Sequence, residues 1–278
     1  MKNRQRSTST IIAYKKDLEQ LEMFLNTESR PITLDGANGD DLVSFIKGLT
    51  ESGKFTPKTV SRKINSIKTF YQYLIDQKVI SDNPATTVKH PQLTKQQPRI
   101  LSSMEYRALR DCARSNRRMF AIVEILIQTG MRIGELARLN RSDVATGDGK
   151  TIIHLNGFES YPPRDIELNE AAARAIQEYM GQTPPPQTGD VLFYTKTGRP
   201  LLIRNIRSAI DKIFKSAEVK KATVNDIRNT FIVYQLRSGL KIKELADYVG
   251  HQKTITTQRY LELVTKRPAK EIEKVVEL

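Results

Sequence analysis

Cysteine and histidine are scarce in this sequence, and their scarcity excludes several classes of site. Its 278 residues include one cysteine, Cys112, and three histidines spread along the chain: His90, His154 and His251. A lone cysteine excludes an internal disulfide framework and a cysteine-built zinc cluster. Scattered histidines argue against a histidine-built metal site. We therefore expect no metal and no organic cofactor.

Long apolar runs and nucleotide-binding loops are also missing. No apolar run approaches the ~18 residues of a membrane span. Tyr14, Lys15 and Lys16 interrupt the stretch after the basic N-terminus, which is not the pattern of a signal peptide. The segment 48–54 has the spacing of a phosphate loop, but Phe55 follows it instead of the hydroxyl residue that would bind magnesium. The sequence thus predicts a cytoplasmic protein that does not use ATP.

Acidic residues are too few to balance the basic ones. The 45 lysines and arginines exceed the 31 aspartates and glutamates, which gives a formal net charge of +14 at pH 7. Such an excess favours a polyanionic partner, with nucleic acid ahead of an anionic membrane. The membrane alternative lacks an aromatic-rich amphipathic helix. A charge that serves solubility alone is the less specific alternative.

Apolar periodicity divides the chain into a helical first part and a mainly helical second part. The first part predicts helices over 8–26, 39–49 and 57–78. A polar, proline-bounded stretch without periodicity follows, which is typical of an extended linker. We predict a helical domain over 1–91, a linker over 92–99 and a second domain over 100–278.

The second part predicts helices around a small antiparallel β-sheet. A capping pattern at Ser102–Glu105 begins its first helix. Short extended segments predict strands at Thr151–Leu155, Asp165–Leu168 and Val191–Tyr194. Further helices are predicted over 118–128, 169–180, 202–216, 223–238, 241–248 and 256–264. The fold class is therefore mainly α with a small antiparallel β-sheet.

Basic residues on two predicted helices are the candidates for DNA contact. The helix over 57–78 has a basic face without an acidic residue before Asp76, which suits phosphate contact. Solvent exposure alone explains such a face equally well. The helix over 202–216 has an inner stripe of isoleucines and leaves its arginines available outward. The candidates are Lys58, Arg62, Lys68, Arg204 and Arg207.

Four segments of the second part carry residues that suit chemistry at a phosphate. Arg132 stands at a glycine-containing turn that enters a helix, and Glu135 follows where it can support that arginine. Arg228 lies one turn inside a later helix, and His251 and Tyr260 come after it. Each residue taken alone is more typical of a structural role, so the prediction depends on their combination.

These ordered motifs resemble the catalytic signature of the tyrosine recombinases, the phage-integrase-type family. The motifs are TGMRIGEL, NDIRNTF, VGH and TTQRY, in that order. The resemblance covers nearly the whole chain, because residues 1–90 are similar to the family's helical core-binding domain. With 278 residues, the chain resembles the compact Xer-like and transposon-resolvase-like members rather than the large phage integrases.

The resemblance implies a site-specific DNA recombinase. The implied fold is a helical core-binding (SAM-like) domain followed by a catalytic domain, which close on DNA as a C-shaped clamp. The implied reaction cuts and rejoins duplex DNA through a 3′-phosphotyrosine and a Holliday junction, in the integration, excision or resolution of a mobile element or replicon. The implied assembly is a homotetramer on synapsed DNA sites, with a partner recombinase or accessory proteins as an open alternative.

The resemblance also implies a role for each residue of the combination. Arg132 and Arg228 would grip the phosphoryl oxygens, where negative charge develops. Tyr260 would be the nucleophile that forms the covalent intermediate. His251 would hydrogen-bond the phosphate or assist the proton transfer from the tyrosine. Such a reaction would need neither a metal nor ATP.

Two positions depart from the family pattern. Asn225 stands where the family usually has histidine, and asparagine donates a hydrogen bond but does not shuttle a proton at neutral pH. The predicted hairpin stretch 156–164 lacks the lysine that acts in the family as general acid, and Lys150 is the nearest candidate. The alternative function is therefore a catalytically weakened DNA-binding accessory or partner subunit.

The C-terminal segment predicts a short interaction helix. Pro268 can begin a helix whose apolar edge consists of Ile272, Val275, Val276 and Leu278. So short a helix is not stable alone and needs a groove that buries this edge. The groove belongs either to the same domain or, as the resemblance implies, to a neighbouring subunit.

Overall fold

Two hydrophobic cores organise the chain. The computed structural model describes residues 7–27, 30–94, 97–159, 161–187 and 189–264. The chain divides into two units, Met1–Gln96 and Gln97–Leu278, each with its own core. Among the described residues, no helix is long and apolar enough to cross a lipid bilayer. The predicted interaction helix from Pro268 to Leu278 lies outside the described residues.

The first unit consists of helices that begin at polar capping residues. Its described elements are α1 (Thr8–Leu25), β1 (Asn26–Thr27), β2 (Arg30–Pro31), α2 (Gly39–Glu51), α3 (Pro57–Asp76) and a 3-10 turn (Pro84–Thr87). The side chain of Asn38 accepts hydrogen bonds from the N–H groups of Asp40 and Asp41 and so caps α2. The three predicted helices are confirmed.

The apolar stripe of α3 lies in the core of the first unit. Its fully buried members are Val60, Ile64, Ile67 and Tyr71. Their spacing of three and four residues keeps them on one face of the helix. The hydroxyl of Tyr71 donates to the carbonyl oxygen of Leu34 at 2.7 Å, so this polar atom is hydrogen-bonded where the ring is buried.

A buried carboxylate joins α1 to α3. Asp17 is 2% exposed and accepts hydrogen bonds from Arg62, Lys63 and Ser66. Burial alone would raise the pKa of Asp17, but these hydrogen bonds outweigh it and lower the pKa. Arg62, which the sequence analysis proposed as a DNA contact, is therefore already paired with Asp17. The opposing acid comes from another helix, which inspection of α3 alone does not reveal.

Replacing Asp17 with asparagine is expected to destabilise the protein. The change leaves Lys63, which is 5% exposed, without its counter-charge, and breaking one partner of a buried ion pair costs about 3–5 kcal/mol. The matched control is Glu19→Gln on the same helix, because Glu19 pairs with Lys15 at 3.7 Å at the exposed surface. Urea unfolding followed by circular dichroism measures both variants, and equal free energies of unfolding would contradict this role for Asp17.

The second unit surrounds the buried helix α5, in which every residue from 121 to 129 is buried. Its described helices are α4 (Ser103–Ala113), α5 (Arg117–Thr129), α6 (Ile133–Leu136), α7 (Glu170–Gln182), α8 (Ile203–Ser216), α9 (Val224–Ser238), α10 (Ile242–Tyr248) and α11 (Ile255–Gln258). Short 3-10 turns lie at Arg141–Asp143 and Leu261–Leu263. The predicted capping pattern before α4 is present, because Ser102 and Glu105 hydrogen-bond each other's backbone N–H groups.

The antiparallel sheet has the order β3 (Val144–Gly147), β4 (Lys150–Leu155), β5 (Arg164–Glu167). The register pairs Leu155 with Arg164 at the end of the sheet nearest the β4–β5 loop. Two predicted strands are confirmed, but the third strand is β3 and not Val191–Tyr194. That segment forms only isolated bridges, and its consecutive residues Leu192 and Phe193 are both buried, which is not the alternation of a half-buried strand.

The helix predicted over 256–264 is divided in two. The α-helix α11 ends at Gln258, and a 3-10 turn at Leu261–Leu263 follows Tyr260. Three consecutive β-branched residues, Ile255, Thr256 and Thr257, have low helix propensity and do not support a longer helix. Tyr260 consequently lies at the junction of two short elements.

Candidate active site

A left-handed turn at the end of α5 determines where Arg132 lies. Gly130 has a φ of +58°, and an added Cβ would lie 2.4 Å from Cδ1 of Phe231. Both the backbone conformation and the close ring therefore require glycine. Arg132 follows at the start of α6, where its backbone N–H donates to Oε2 of Glu135 at 2.8 Å.

The two predicted arginines converge on one carbonyl oxygen. Arg132 donates from Nη1 to the oxygen of Val249 at 3.2 Å and from Nη2 to the oxygen of Gly250 at 2.8 Å. Arg228, on α9, donates from Nη2 to the same Val249 oxygen at 2.7 Å and from Nη1 to the oxygen of Gly130 at 2.6 Å. The backbone that follows α10 thus holds both guanidinium groups side by side.

A third arginine, Arg164, joins this site and was not predicted. It begins β5, and its Nε donates to the carbonyl oxygen of Tyr248 at 2.8 Å. Gly250 has a φ of +67°, and an added Cβ would lie 2.6 Å from Nη1 of Arg164 and 3.2 Å from Nη1 of Arg132. The left-handed backbone therefore favours glycine, and a larger side chain would have to displace the guanidinium of Arg164. Nothing local in the sequence distinguishes Arg164, because the register of the sheet brings it here.

Glu135 is the carboxylate that opposes these charges. It is 8% exposed, and its oxygens accept hydrogen bonds from Nη1 and Nη2 of Arg164 at 2.7 and 3.0 Å. Its contact with Nη1 of Arg132 is longer, at 3.3 Å. Burial alone would raise the pKa of Glu135, but the bonds and charges of Arg164 and Arg132 outweigh it and lower the pKa. The predicted support of Arg132 is present, yet Arg164 is the stronger partner.

Burial and excess positive charge lower the pKa values of both Arg228 and His251. Burial and the adjacent Arg132 lower the pKa of Arg228 to about 9, so this group is protonated at pH 7. Burial and the charges of Arg228, Arg132 and Arg164 lower the pKa of His251 to about 4. His251 is therefore neutral at pH 7. Its Nδ1 shares a hydrogen bond of 2.7 Å with the hydroxyl of Thr257, which is fully buried.

Tyr260 lies beside Arg228 and is held by a residue that the sequence did not single out. Its hydroxyl donates to Oδ1 of Asn229 at 2.9 Å, and Nδ2 of Asn229 donates to Oδ1 of Asp226 at 3.2 Å. Burial raises the pKa of Tyr260 above its ordinary 10, although the charges of Arg228 and Arg132 oppose this shift. The phenol is thus protonated and hydrogen-bonded in the free protein.

The two positions that depart from the family pattern, Asn225 and Lys150, lie in different surroundings. Asn225 is exposed on α9, one helical turn before Arg228. Lys150 begins β4 and donates to Oε2 of Glu167 at 3.1 Å. Along a strand, Lys150 lies about 17 Å from Leu155, the partner of Arg164. Lys150 thus begins the opposite end of the strand from the arginines and is paired there with Glu167, and its role as general acid stays a prediction that this placement does not favour.

Aromatic residues of the β4–β5 loop occupy the hairpin side of the site. The ring centroid of Tyr161 lies 4.9 Å from Cζ of Arg132, and the ring centroid of Phe158 lies 3.7 Å from Cζ of Arg138. Both distances are within the range of cation–π contacts. The sequence analysis did not single out these rings, because such contacts depend on how the loop folds back over α6.

The remaining candidates for DNA contact differ in accessibility. Lys58, Arg204 and Arg207 are exposed, while Lys68 is partly buried. Arg204 and Arg207 lie on α8 opposite its buried Ile206 and Ile210, as the isoleucine stripe predicted.

Comparison with known proteins identifies relatives over nearly the whole chain. Residues 93–267 match the phage integrase family, and residues 1–78 match the SAM-like N-terminal domain of phage integrases. Tyrosine recombinase XerC of Listeria innocua is 30% identical, over 95% of this chain and 90% of the relative. Tyrosine recombinase XerD of Oceanobacillus iheyensis is 27% identical, over 94% of this chain and 90% of the relative.

Solved structures agree with the predicted fold class. The crystal structure of XerA recombinase is similar with a TM-score of 0.56 and 26% identity, covering 94% of this chain and 89% of that chain. The Tn1549 transposon integrase, in complex with circular intermediate DNA, is similar with a TM-score of 0.76 and 18% identity, covering 92% and 90%. The second likeness concerns the fold alone. The mainly helical class with a small antiparallel sheet is confirmed.

The lowered pKa of His251 predicts how it titrates. A nuclear magnetic resonance titration of the ring, with His251→Gln as the assignment control, is expected to give a value near 4 instead of the ordinary 6.5. Replacing Arg132 with glutamine removes one positive charge and is expected to raise the pKa of His251. A value at or above 6.5 in the unaltered protein would contradict the proposed burial and charge.

The same shift predicts a pH dependence of stability. As the pH falls below about 6.5, the unfolded chain protonates His251 before the folded chain does, so the free energy of unfolding decreases towards pH 4. His251→Gln removes this contribution. In urea unfolding between pH 4 and 7, the free energy of unfolding is therefore expected to change less with pH in the variant than in the unaltered protein. Identical changes with pH in the two proteins would contradict this expectation.

Proposed function

The chain belongs to the phage integrase family of tyrosine recombinases, and from that premise we propose that Tyr260 cuts and rejoins duplex DNA through a covalent phosphotyrosine. The protein is a site-specific recombinase. The proposal concerns how its own residues perform the reaction. The observation that carries it is the convergence of Arg132 and Arg228 on the Val249 carbonyl oxygen, with Tyr260 and His251 beside them.

The arginines are proposed to bind the scissile phosphate. Each guanidinium has five N–H donors, and the carbonyl oxygens of Gly130, Val249 and Gly250 leave some of these donors available. A phosphodiester supplies the negative charge that the site lacks. As extra charge develops on the phosphoryl oxygens, fixed donors stabilise it without reorganising. Glu135 is a positioning residue in this scheme, because it holds Arg132 and Arg164 and does not itself contact DNA.

Tyr260 is the proposed nucleophile. Its phenolic oxygen forms the new bond to phosphorus, and the bond from phosphorus to the 5′ oxygen breaks. The phenolic proton needs an acceptor, since the pKa of Tyr260 lies above 10. His251 is the proposed acceptor, because its lowered pKa leaves it neutral with a lone pair. Asn225 is proposed to donate a hydrogen bond to the phosphate, which its exposed amide allows.

The roles of the two units belong to the same proposal. We assign core binding to residues 1–91, the linker to 92–99 and catalysis to 100–278. Exposed Lys58, Arg204 and Arg207, together with Lys68, are proposed phosphate contacts. A homotetramer on two synapsed DNA sites and a cytoplasmic location follow from the family resemblance and from the DNA substrate. Integration, excision and resolution are all compatible with this chemistry.

The alternative of a catalytically weakened accessory subunit is not favoured. The relatives described above are named recombinases. Both arginines, His251 and Tyr260 are retained within one hydrogen-bonded site. An accessory protein that had lost cleavage would have no chemical need for the tyrosine hydroxyl.

Replacing Tyr260 with phenylalanine is expected to abolish the covalent intermediate and leave DNA binding intact, because only the hydroxyl is removed. The probe is sheared genomic DNA of the source organism, and the readout is a protein–DNA adduct that survives denaturation in SDS. Sequencing the attached DNA maps the cleavage site. Tyr234→Phe is the matched control on α9, since the hydroxyl of Tyr234 has no hydrogen bond within the described residues. An adduct formed by Tyr260→Phe would refute the nucleophile assignment.

Substitutions of Arg228 and Lys58 are expected to impair different steps, cleavage and DNA binding respectively. Arg228→Ala removes a preorganised donor and is expected to slow cleavage by about 100- to 1,000-fold. Lys58→Ala removes an exposed charge and is expected to weaken binding and reduce the salt slope by about one unit. Gel-shift titrations at several salt concentrations and single-turnover cleavage separate the two effects. Unchanged cleavage by Arg228→Ala would overturn the site assignment.

A further inference from the structure

The proposed reaction leaves one proton without a donor, and this inference rests on that reaction. When the bond from phosphorus to the 5′ oxygen breaks, the oxygen leaves with the electron pair. An alkoxide is a poor leaving group, so the oxygen must receive a proton as it departs. A second side chain, distinct from the nucleophile and its base, has to supply that proton.

Most groups of the site are unsuited to this task. The N–H groups of Arg132 and Arg228 are committed to backbone carbonyl oxygens and, in the proposed reaction, to the phosphate, and Glu135 is ionised and paired with Arg164. His251 is neutral because its pKa is lowered to about 4. Lys150 is at the other end of β4. Among the described residues, this leaves Tyr161, whose ring contacts Arg132 and whose hydroxyl carries a transferable proton.

The β4–β5 loop holds Tyr161 in a defined position. The backbone N–H of Tyr161 donates to the oxygen of Phe158 at 2.9 Å, and the N–H of Phe158 donates to the oxygen of Tyr161 at 3.1 Å. A Cβ added at Gly157 would lie 3.0 Å from Cδ of Pro163 and 3.3 Å from the carbonyl oxygen of Tyr161. The loop is therefore closely packed. The ring of Tyr161 packs against the guanidinium of Arg132.

Tyr161 and Tyr260 are held by different parts of the arginine site. Arg132 and Arg228 share the Val249 oxygen. Tyr161 contacts Arg132, while Tyr260 is bonded to Asn229, the residue that follows Arg228. Displacement at phosphorus requires the attacking and leaving oxygens to lie roughly in line, on opposite sides. For a phosphate bound by both arginines, this requirement is met if Tyr260 attacks from one side and Tyr161 faces the leaving oxygen on the other.

We propose that Tyr161 is the catalytic general acid that protonates the leaving 5′ oxygen. The O–H bond of Tyr161 breaks, its electron pair stays on the phenolate oxygen, and the proton passes to the departing oxygen. The adjacent charge of Arg132 stabilises the phenolate. In the rejoining step the attacking 5′ hydroxyl returns a proton to the phenolate, so the enzyme is restored. Phenols as a class hold their proton at neutral pH and release it to an alkoxide.

The test compares two synthetic duplexes that carry the cleavage site mapped by the wild-type adduct. One has the natural linkage, and the other has sulfur in place of the bridging 5′ oxygen. A thiolate leaves without a proton, so the second duplex does not need a general acid. Tyr161→Phe keeps the ring against Arg132 and removes only the hydroxyl. It is expected to cleave the natural duplex about 100- to 10,000-fold more slowly than wild type and the sulfur duplex at a rate close to wild type.

Several results would overturn the proposal. Wild-type cleavage of the natural duplex by Tyr161→Phe would exclude the role, and so would an equal deficit on both duplexes, which indicates a structural effect. Sulfur rescue of Lys150→Ala instead of Tyr161→Phe would assign the proton to Lys150. Circular dichroism and gel shifts check that Tyr161→Phe folds and binds DNA. A wild-type chain that forms no adduct on the genomic DNA would refute the proposed function itself and this inference with it.

Discussion

The carboxylate of Glu135 is the interaction on which the candidate active site depends. It is nearly inaccessible to solvent, and it accepts hydrogen bonds from the side chain of Arg164 and the backbone of Arg132. Arg164 in turn donates to the carbonyl oxygen of Tyr248. One buried ion pair therefore joins the turn after α5, the β-sheet and the end of α10. A buried carboxylate is tolerated only with such partners, so the three segments are held in one arrangement.

One carboxylate does not neutralise three guanidinium groups, and the remaining charge has consequences. Burial and this remaining charge lower the pKa values of both Arg228 and His251, since each holds its proton away from water and against neighbouring positive charge. The backbone carbonyl oxygens of Val249 and Gly250 satisfy guanidinium donors in the free protein. A phosphate that takes over some of these donors exchanges hydrogen bonds instead of losing them. It also adds the negative charge that the site lacks.

Local patterns predicted the elements and the residues whose motifs are continuous in the sequence. The stripe on α3 and the glycine turn before Arg132 depend on residues close in the sequence, so they could be predicted from it. The contacts of Asp17, Arg164 and Tyr161 could not be predicted in this way, because each residue acts through a partner that is distant in the sequence. The strand β3 was missed since three of its four residues are exposed and give little apolar signal. The family resemblance thus implied the chemistry, while the contacts that position these residues depend on the fold.

The two sides of the arginine pair are built differently, and the difference suits their tasks. Tyr161 lies in a tight turn closed by reciprocal backbone hydrogen bonds. Tyr260 follows the short helix α11 and is held at its hydroxyl by Asn229. An amide oxygen binds the phenolic proton but does not remove it, so the nucleophile stays protonated there. Releasing one such hydrogen bond costs only about 0.5–1.5 kcal/mol. The hydroxyl that we propose as the nucleophile is therefore restrained by a single hydrogen bond, which a bound phosphate can replace at small cost.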